Sequence, residues 1–336
     1  MLSAFYLSAL LSIAAVGICK AALATLPAEN EFGFSLQEYD DCFKETYHAE
    51  PYWNEHFCSM KNFAILKKFQ TGPITQVFLV RDSQWHRQAV VKVVSNDYEE
   101  VYRLEKCLLK AVSSPLIPQL YCTMHVEPSE LFPAGGMAIV MEHLDGRDLT
   151  AVTNNEIMAR VHKRDRWITK NWHRVFLDVG GFIQSMHRHG LIHRDIKPEN
   201  IILLYNGGLR VIDFGFSGKV THLQPVRCTP GYTCPKLLEE MTRHPDGLYD
   251  YEPFWTTDFY AFGMTLLVLI EGYMPWDDVE DEYNDGALEL ASEKILREIL
   301  KKNGQFGMLL AGFLDSDPSK RCDFNRALAV YNGMRW

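Results

Sequence analysis

The segment His193-Arg194-Asp195-Ile196-Lys197-Pro198-Glu199-Asn200, with Asp213-Phe214-Gly215 beginning thirteen residues after Asn200, constrains this chain more than any other feature. Between the two motifs, Ile201-Ile202-Leu203-Leu204 and Leu209-Arg210-Val211-Ile212 read as short apolar strands around an Asn206-Gly207-Gly208 turn. A strand–turn–strand holds two polar motifs at a fixed separation. The residue types then define the chemistry on offer. Asp195 is a carboxylate that can take a proton, Lys197 a cation, and Asn200 and Asp213 are oxygen donors of the kind a hard divalent cation prefers.

These are the parts that moving a phosphoryl group from Mg-ATP to a hydroxyl requires. At this spacing the two motifs resemble those of eukaryotic-type protein kinases, and the resemblance covers residues 60–336. It implies an α+β, two-lobed fold with a small β-rich N-lobe carrying one key helix (60–141), a hinge (142–148) and a larger, mainly helical C-lobe (149–336). It also implies ATP with Mg²⁺, or Mn²⁺ in its place, and protein substrates bearing Ser or Thr.

The nucleotide-binding residues follow from that resemblance, checked one by one. Ala89-Val90-Val91-Lys92-Val93 is an apolar strand carrying one lysine, and a buried lysine needs a partner because an unpaired charge there is costly. By resemblance Lys92 holds the α- and β-phosphates and pairs with Glu105 on a helix predicted over 103–112. Glu99 and Glu100 are rival partners, and the register to Pro115 and Leu120 favours Glu105. The glycine-rich loop departs from the family pattern G-x-G-x-x-G-x-V. The chain reads Gln70-Thr71-Gly72-Pro73-Ile74-Thr75-Gln76-Val77 and keeps only Gly72 and Val77. Gln70 and Thr75 lack glycine's backbone freedom and Pro73 lacks an N–H, which predicts weaker or slower ATP binding. Val90 stands where the family has an alanine against adenine, and Ile202 belongs to the same nucleotide set. Met141 corresponds to the residue gating the pocket behind adenine, with backbone groups of Glu142 and Leu144 bonding the base. Asp148 is placed to accept from the ribose hydroxyls or to meet a basic substrate side chain, and also to cap the helix after it.

For the chemistry, the resemblance makes Asp195 the base, Lys197 the γ-phosphate cation, and Asn200 and Asp213 the metal ligands. Lysine two residues after Asp195 resembles the Ser/Thr-directed members. His193 and Phe214 correspond to structural residues stacked with Leu109 and Leu120 and resting on Asp258; Thr229 to a residue bonding Asp195 and Lys197. Lys236 occupies a position where the family has a glutamate paired with the arginine matched by Arg321. Arg321 is therefore expected to turn to Glu239, Glu240 or water. Pro225 stands at the usual activating phosphorylation position, leaving Ser217 and Thr221 as acceptors. Asp148, Glu199 and the run Asp277, Asp278, Glu280, Asp281, Glu282 suggest substrates with upstream basic residues, although such a run also suits a solvated loop. The glycine-loop and Lys236 departures keep a second reading open, a pseudokinase that binds or scaffolds.

The rest of the chain bears on location. A net charge of −9 argues against nucleic-acid partners. Leu2–Ile18 is uncharged, followed by Lys20 and Ala22-Leu23-Ala24, so residues 1–24 read as a secretory signal peptide. Lys20 lies after the apolar run rather than before it, and by the positive-inside rule that flank leaves an uncleaved anchor, with the kinase domain cytoplasmic, as the alternative. Membrane contact is expected only through residues 2–18. Residues 25–59 are acidic and aromatic, suited to packing on the lobes or to docking. In an oxidising compartment Cys42 and Cys58 within them could pair and pin the segment; the remaining cysteines are expected to be buried or free thiols.

Overall fold

The computed structural model describes residues 33–44, 58–72, 74–83, 86–130, 132, 135–153, 171–219, 229–243, 255–272 and 296–334. Residues 1–24, and with them the expected leader and the expected membrane contact, lie outside these, as do Pro73, Thr221, Pro225 and the acidic run 277–282. Two compact units organise the chain: Glu31–Arg147 with Ile202–Ser217, and Asp148–Ile201 with Gly218–Trp336.

The first unit is built on an antiparallel sheet of β2 (Phe63–Thr71), β3 (Thr75–Asp82), β4 (Gln88–Val94), β6 (Leu120–Val126) and β7 (Gly136–Glu142), in the order β2-β3-β4-β7-β6. Side chains alternate across a strand, so each strand serves two faces. Phe78, Val80, Ala89, Val91, Val93, Cys122, Met124, Ala138 and Val140 share one buried cluster with Phe63 and Phe132. The intervening residues form the other face, where Val77 pairs with Lys92, Lys92 with Ile139 and Val90 with Met141.

The sheet packs against helix α2 (Glu99–Ala111). The helix begins four residues before the predicted start. Glu99 and Glu100 in its first turn suit the positive end of the helix dipole. It ends where Val112 turns extended to begin β5 (Val112–Ser113), which pairs with β1 (Gly33–Phe34). Between β1 and the sheet lies α1 (Leu36–Lys44), packed on α2.

Cys42 and Cys58 do not pair with each other. Cys42 bonds Cys107 on α2, with Cα atoms 5.5 Å apart, and Cys58 bonds Cys122 on β6, at 6.2 Å. Each span is ordinary for a disulfide. Helix α1 carries Cys42 along α2, whereas Cys58 packs on the sheet core, so each sulfur meets a different buried partner. Cys107 and Cys122 are thus bridged rather than free. Cys322 is also disulfide-bonded, and Cys234 is a buried free thiol.

The stretch Ile202–Ser217 belongs to this unit. Strands β10 (Ile201–Leu204) and β11 (Leu209–Val211) form the expected hairpin. Its turn is closed by Leu204 N–H to Gly208 O at 2.8 Å and by Gly208 N–H to Asn206 Oδ1 at 2.8 Å. Gly207 sits at φ +88°, a conformation glycine adopts without strain.

The second unit is mainly helical: α3 (Leu149–Thr153), α4 (Gly180–Arg188, entered through a π-helical turn at Val175–Val179), α5 (Pro235–Arg243), α6 (Trp255–Glu271), α7 (Gly304–Phe313) and α8 (Phe324–Asn332). Helix α6 is apolar nearly all round and buried from Thr256 to Leu269, which makes it the central helix of the unit. Phe176 stacks with Tyr331 at 4.7 Å and contacts Phe262, Phe313 and Phe324. A Cβ on Gly180 would overlap the Phe324 ring, so close packing requires glycine there. Short strands β9 (Leu191–Ile192) and β12 (Gly218–Lys219) pair beside this core. A β-sheet unit with one long helix and a helical unit together make the two-lobed α+β kinase fold.

Candidate active site

In the first unit, Lys92 projects from β4 on the face away from the core cluster and lies 2.6 Å from Glu105 Oε2 and 2.6 Å from Asp213 Oδ1. Glu105 thus meets the lysine, while Glu99 and Glu100 are exposed at the helix start. Lys92 and Glu105 are buried, at 6% and 2% exposure, so neither charge is tolerable without the other. Burial pulls the Lys92 ammonium toward neutrality, but the Asp213 and Glu105 carboxylates override it and hold the lysine charged, well above its ordinary value.

Asp213 occupies φ +62°, an uncommon backbone state for a residue with a Cβ. Its carboxylate is 43% exposed and also accepts from Gly215 N–H at 3.4 Å. A Cβ on Gly215 would lie 2.8 Å from Val101 Cγ1 of α2, so the glycine lets this segment pass under the helix. Phe214, Leu109 and Met141 are buried and Leu120 half-buried.

The glycine-loop region forms a tight turn. Strands β2 and β3 stay paired as far as Thr71 and Gln76, and Gly72 N–H donates to Thr75 O at 2.9 Å. That N–H is therefore engaged within the turn. Val77, Val90 and Ile202 are half-buried, and the Val77 and Val90 positions share the Lys92 face. Glu142 N–H is engaged by Gln119 O at 2.9 Å, and its carboxylate accepts from Gln119 N–H at 3.2 Å. Leu144 follows β7 in a short non-strand stretch.

In the second unit, the loop after β9 is organised around Asp195. Thr229 Oγ1 donates to Asp195 Oδ1 at 2.6 Å, and Lys197 Nζ lies 2.8 Å from both Asp195 Oδ2 and Thr229 Oγ1. Asn200 Nδ2 donates to the carbonyl and to Oδ2 of Asp195, both at 2.8 Å. This orients the amide so that Asn200 Oδ1 is the atom left for a cation. Asp195 is 5% exposed and Asn200 6%, so hydrogen bonding rather than solvent fixes both.

Asp258 supports this loop from below. It lies in the first turn of α6, not before it, so it is not a plain helix cap. Oδ2 accepts from His193 N–H at 2.8 Å and Oδ1 from Arg194 N–H at 2.8 Å, with His187 Nε2 2.9 Å from Oδ2. Arg194 is held at φ +69° by that contact, a strained state that aims the following Asp195. Burial alone would push the Asp258 carboxyl up, but the hydrogen bond from His187, the nearby imidazoles and the His193 N–H hold it below the usual carboxylate range. His187 went unnoticed in the sequence, where no local pattern links it to a residue 71 positions away.

Where a carboxylate was expected, the anchors of Arg321 are backbone and hydroxyl oxygens. The guanidinium donates to Asp315 O at 3.1 and 2.8 Å, to Thr256 O at 3.0 Å and to Thr256 Oγ1 at 3.0 Å. It lies 5.1 Å from the Tyr260 ring centroid and is 2% exposed. Lys236 is exposed on α5, so the two cations do not compete for one buried site. Asp148 Oδ1 accepts from Ala151 N–H at 2.7 Å, a cap on α3, and Glu199 is exposed. Ser217 is fully buried, which removes it as an accessible phosphorylation acceptor.

Comparison with known proteins agrees with this geometry. A family model described as protein kinase domain matches residues 63–331. CBL-interacting serine/threonine-protein kinase 3 of Arabidopsis thaliana is 29% identical over 62% of this chain and 44% of its own. Cyclic-AMP-dependent protein kinase type 3 of Saccharomyces cerevisiae is 25% identical over 72% and 55%, and the human cAMP-dependent protein kinase catalytic subunit PRKX 26% identical over 66% and 56%. The chain spans about half the length of the curated relatives it matches. The two hydrogen-bonded clusters and the matched family model lead to one conclusion: this chain belongs to the protein kinase family.

Proposed function

We propose that the chain is a serine/threonine protein kinase that transfers the γ-phosphate of Mg-ATP to hydroxyls of protein substrates. The observation that carries this reading is the triangle Asp195–Lys197–Thr229, with Asn200 fixing the Asp195 carboxylate. Asp195 orients the substrate hydroxyl and accepts its proton late in transfer, while Lys197 offsets charge on the transferred group. Lys92, held by Glu105, binds the α- and β-phosphates. Val77, Val90, Met141 and Ile202 enclose adenine, backbone groups of Glu142 and Leu144 bond it, and Asp148 faces the ribose. Asn200 Oδ1 and the exposed part of Asp213 are hard oxygen donors that suit Mg²⁺, with Mn²⁺ as a substitute. When bound, that ion neutralises the β- and γ-phosphates. Acidic residues near the acceptor, Glu199 among them, favour basic substrate sequences.

The test is transfer from Mg-ATP to a Ser/Thr peptide library by the chain and by Asp195→Asn. Transfer that disappears in the variant supports the reading. Equal transfer by both, or acceptance by tyrosine alone, overturns it.

One observation favours a pseudokinase. With Gly72 N–H bonded to Thr75 O and no N–H on Pro73, the loop has few donors left for phosphate. A well-folded chain that neither binds Mg-ATP nor transfers phosphate establishes that reading instead. For location, the two disulfides favour an oxidising compartment reached through the residue 1–24 leader, in preference to an anchored, cytoplasmic kinase. Non-reducing peptide mapping of the protein from its own cells decides this: free thiols at all four cysteines refute it.

A further inference from the structure

Helix α2 is buried around nearly its whole circumference: Val101, Tyr102, Leu104, Glu105, Cys107, Leu108, Leu109 and Ala111 are all inside. A helix with a single core face would leave one side to water. Here Glu105 turns to Lys92 on the sheet, and Cys107, two residues on and roughly opposite around the helix, turns to α1. Helix α1 is fastened to α2 in three ways. Cys42 is bridged to Cys107. Strand β1, just before α1, pairs with β5, just after α2, through Gly33–Ser113 and Phe34–Val112. Ser35 N–H donates to Ala111 O at 3.1 Å, while Tyr39 and Cys42 are buried at 1% and 2% exposure.

We propose that α1, locked by the Cys42–Cys107 disulfide, is a positioning element that holds α2 in register so that Glu105 stays against Lys92. The inference builds on the kinase reading above. It makes Cys42 and Cys107 positioning residues for phosphate transfer, acting through Glu105 and touching neither nucleotide nor substrate. The Lys92–Glu105 contact is then maintained by covalent structure within this chain.

The structure supplies an internal control. Cys58–Cys122 ties the same N-terminal segment to the same unit, and its two cysteines lie 64 residues apart in the chain against 65 for Cys42 and Cys107. The two therefore restrain the unfolded chain almost equally. A purely stabilising role predicts equal consequences for removing either bridge. A positioning role predicts that only one matters for transfer.

The full chain is compared with the pairs Cys42→Ala/Cys107→Ala and Cys58→Ala/Cys122→Ala, at a temperature where all three are folded. If the first pair folds poorly, Cys42→Val/Cys107→Ala replaces it. The expected result is a kcat at least 10-fold lower for the Cys42/Cys107 pair, with the peptide KM within about 3-fold, and a kcat within about 3-fold of the parent for the control; misplacing a catalytic group by about 1 Å is enough for a loss of this size. Amide hydrogen exchange over residues 99–111 rises at least 10-fold in the first pair and not in the control. Equal kcat changes in both pairs, or none in either, overturn the proposal. If the parent itself transfers no phosphate, the kinase reading has failed, and hydrogen exchange alone decides the clamp: unchanged protection of 99–111 in the first pair overturns it.

Discussion

Arg321 provides a sharp test, because the family pattern and the structure disagree about it. The family pattern pairs this arginine with a glutamate where the chain has Lys236, so Lys236→Glu ought to restore a buried ion pair. The structure says otherwise: the four donor contacts of Arg321 are already taken by Asp315 O, Thr256 O and Thr256 Oγ1, and Lys236 points to solvent. The substitution then alters only an exposed charge, and exposed pairs contribute ~0–1 kcal/mol. Arg321→Lys is the complementary perturbation. One ammonium cannot reach both Thr256 and Asp315, so one of the two clusters loses its donor. Thr256 O lies in the first turn of α6 and can still accept within the helix, whereas Asp315 O follows α7 and loses its side-chain donor. An unsatisfied buried acceptor costs about 1–3 kcal/mol, and loss of the planar stack on Tyr260 adds up to about 1 kcal/mol. The expected loss is about 1–4 kcal/mol for Arg321→Lys, against less than ~1 kcal/mol either way for Lys236→Glu. Urea unfolding followed by tryptophan fluorescence measures both. A gain above ~1.5 kcal/mol for Lys236→Glu, abolished when Arg321→Lys is added, would show that the missing glutamate still matters and would refute the reasoning.

Three further outcomes are expected. The folded Asp258 carboxyl titrates below its unfolded value of about 4, so its contribution is complete above that pH and is lost as the pH falls through the folded value; the gap between the urea midpoints of the parent and Asp258→Asn should close as the pH falls from about 5 to below 4, and a gap that widens over that acid range contradicts the assignment. Gly215→Ala places a methyl 2.8 Å from Val101 Cγ1 and should lower stability by about 1–3 kcal/mol, with Val101→Ala in the same chain recovering part of the loss. Removing Cys58–Cys122, which closes a loop of 64 residues, should cost about 4 kcal/mol by chain entropy, read as a lower urea midpoint, and an unchanged midpoint would mean that the bridge does not form.

Much of the site was legible because its signals are local. The Asn206-Gly207-Gly208 turn, the alternation through Lys92 on β4, and the spacing of Asp195, Lys197 and Asn200 each depend on a few adjacent residues. Even Glu105 could be chosen over Glu99 and Glu100, because a helix of known register offers few candidates to one lysine. The start of α2 was missed by four residues, since Tyr98 and the acidic pair after it carry no capping side chain that would mark the boundary.

What sequence alone determined, then, was the set of parts: the motifs, the strands that present them and the departures in the glycine loop and at Lys236. Partners distant in the chain were decided only by tertiary packing. Cys42 could not choose between Cys58 and Cys107 until α1 lay along α2, and Asp258 could not find His187 until α4 and α6 packed together. Arg321 likewise exchanged a carboxylate for backbone carbonyls because the end of α7 and the start of α6 bring their oxygens to it. Backbone turns and periodicity are short-range and written in neighbouring residues. Which buried sulfur, carboxylate or carbonyl a side chain meets depends on how whole elements stack, and that is settled by burial of the core they share.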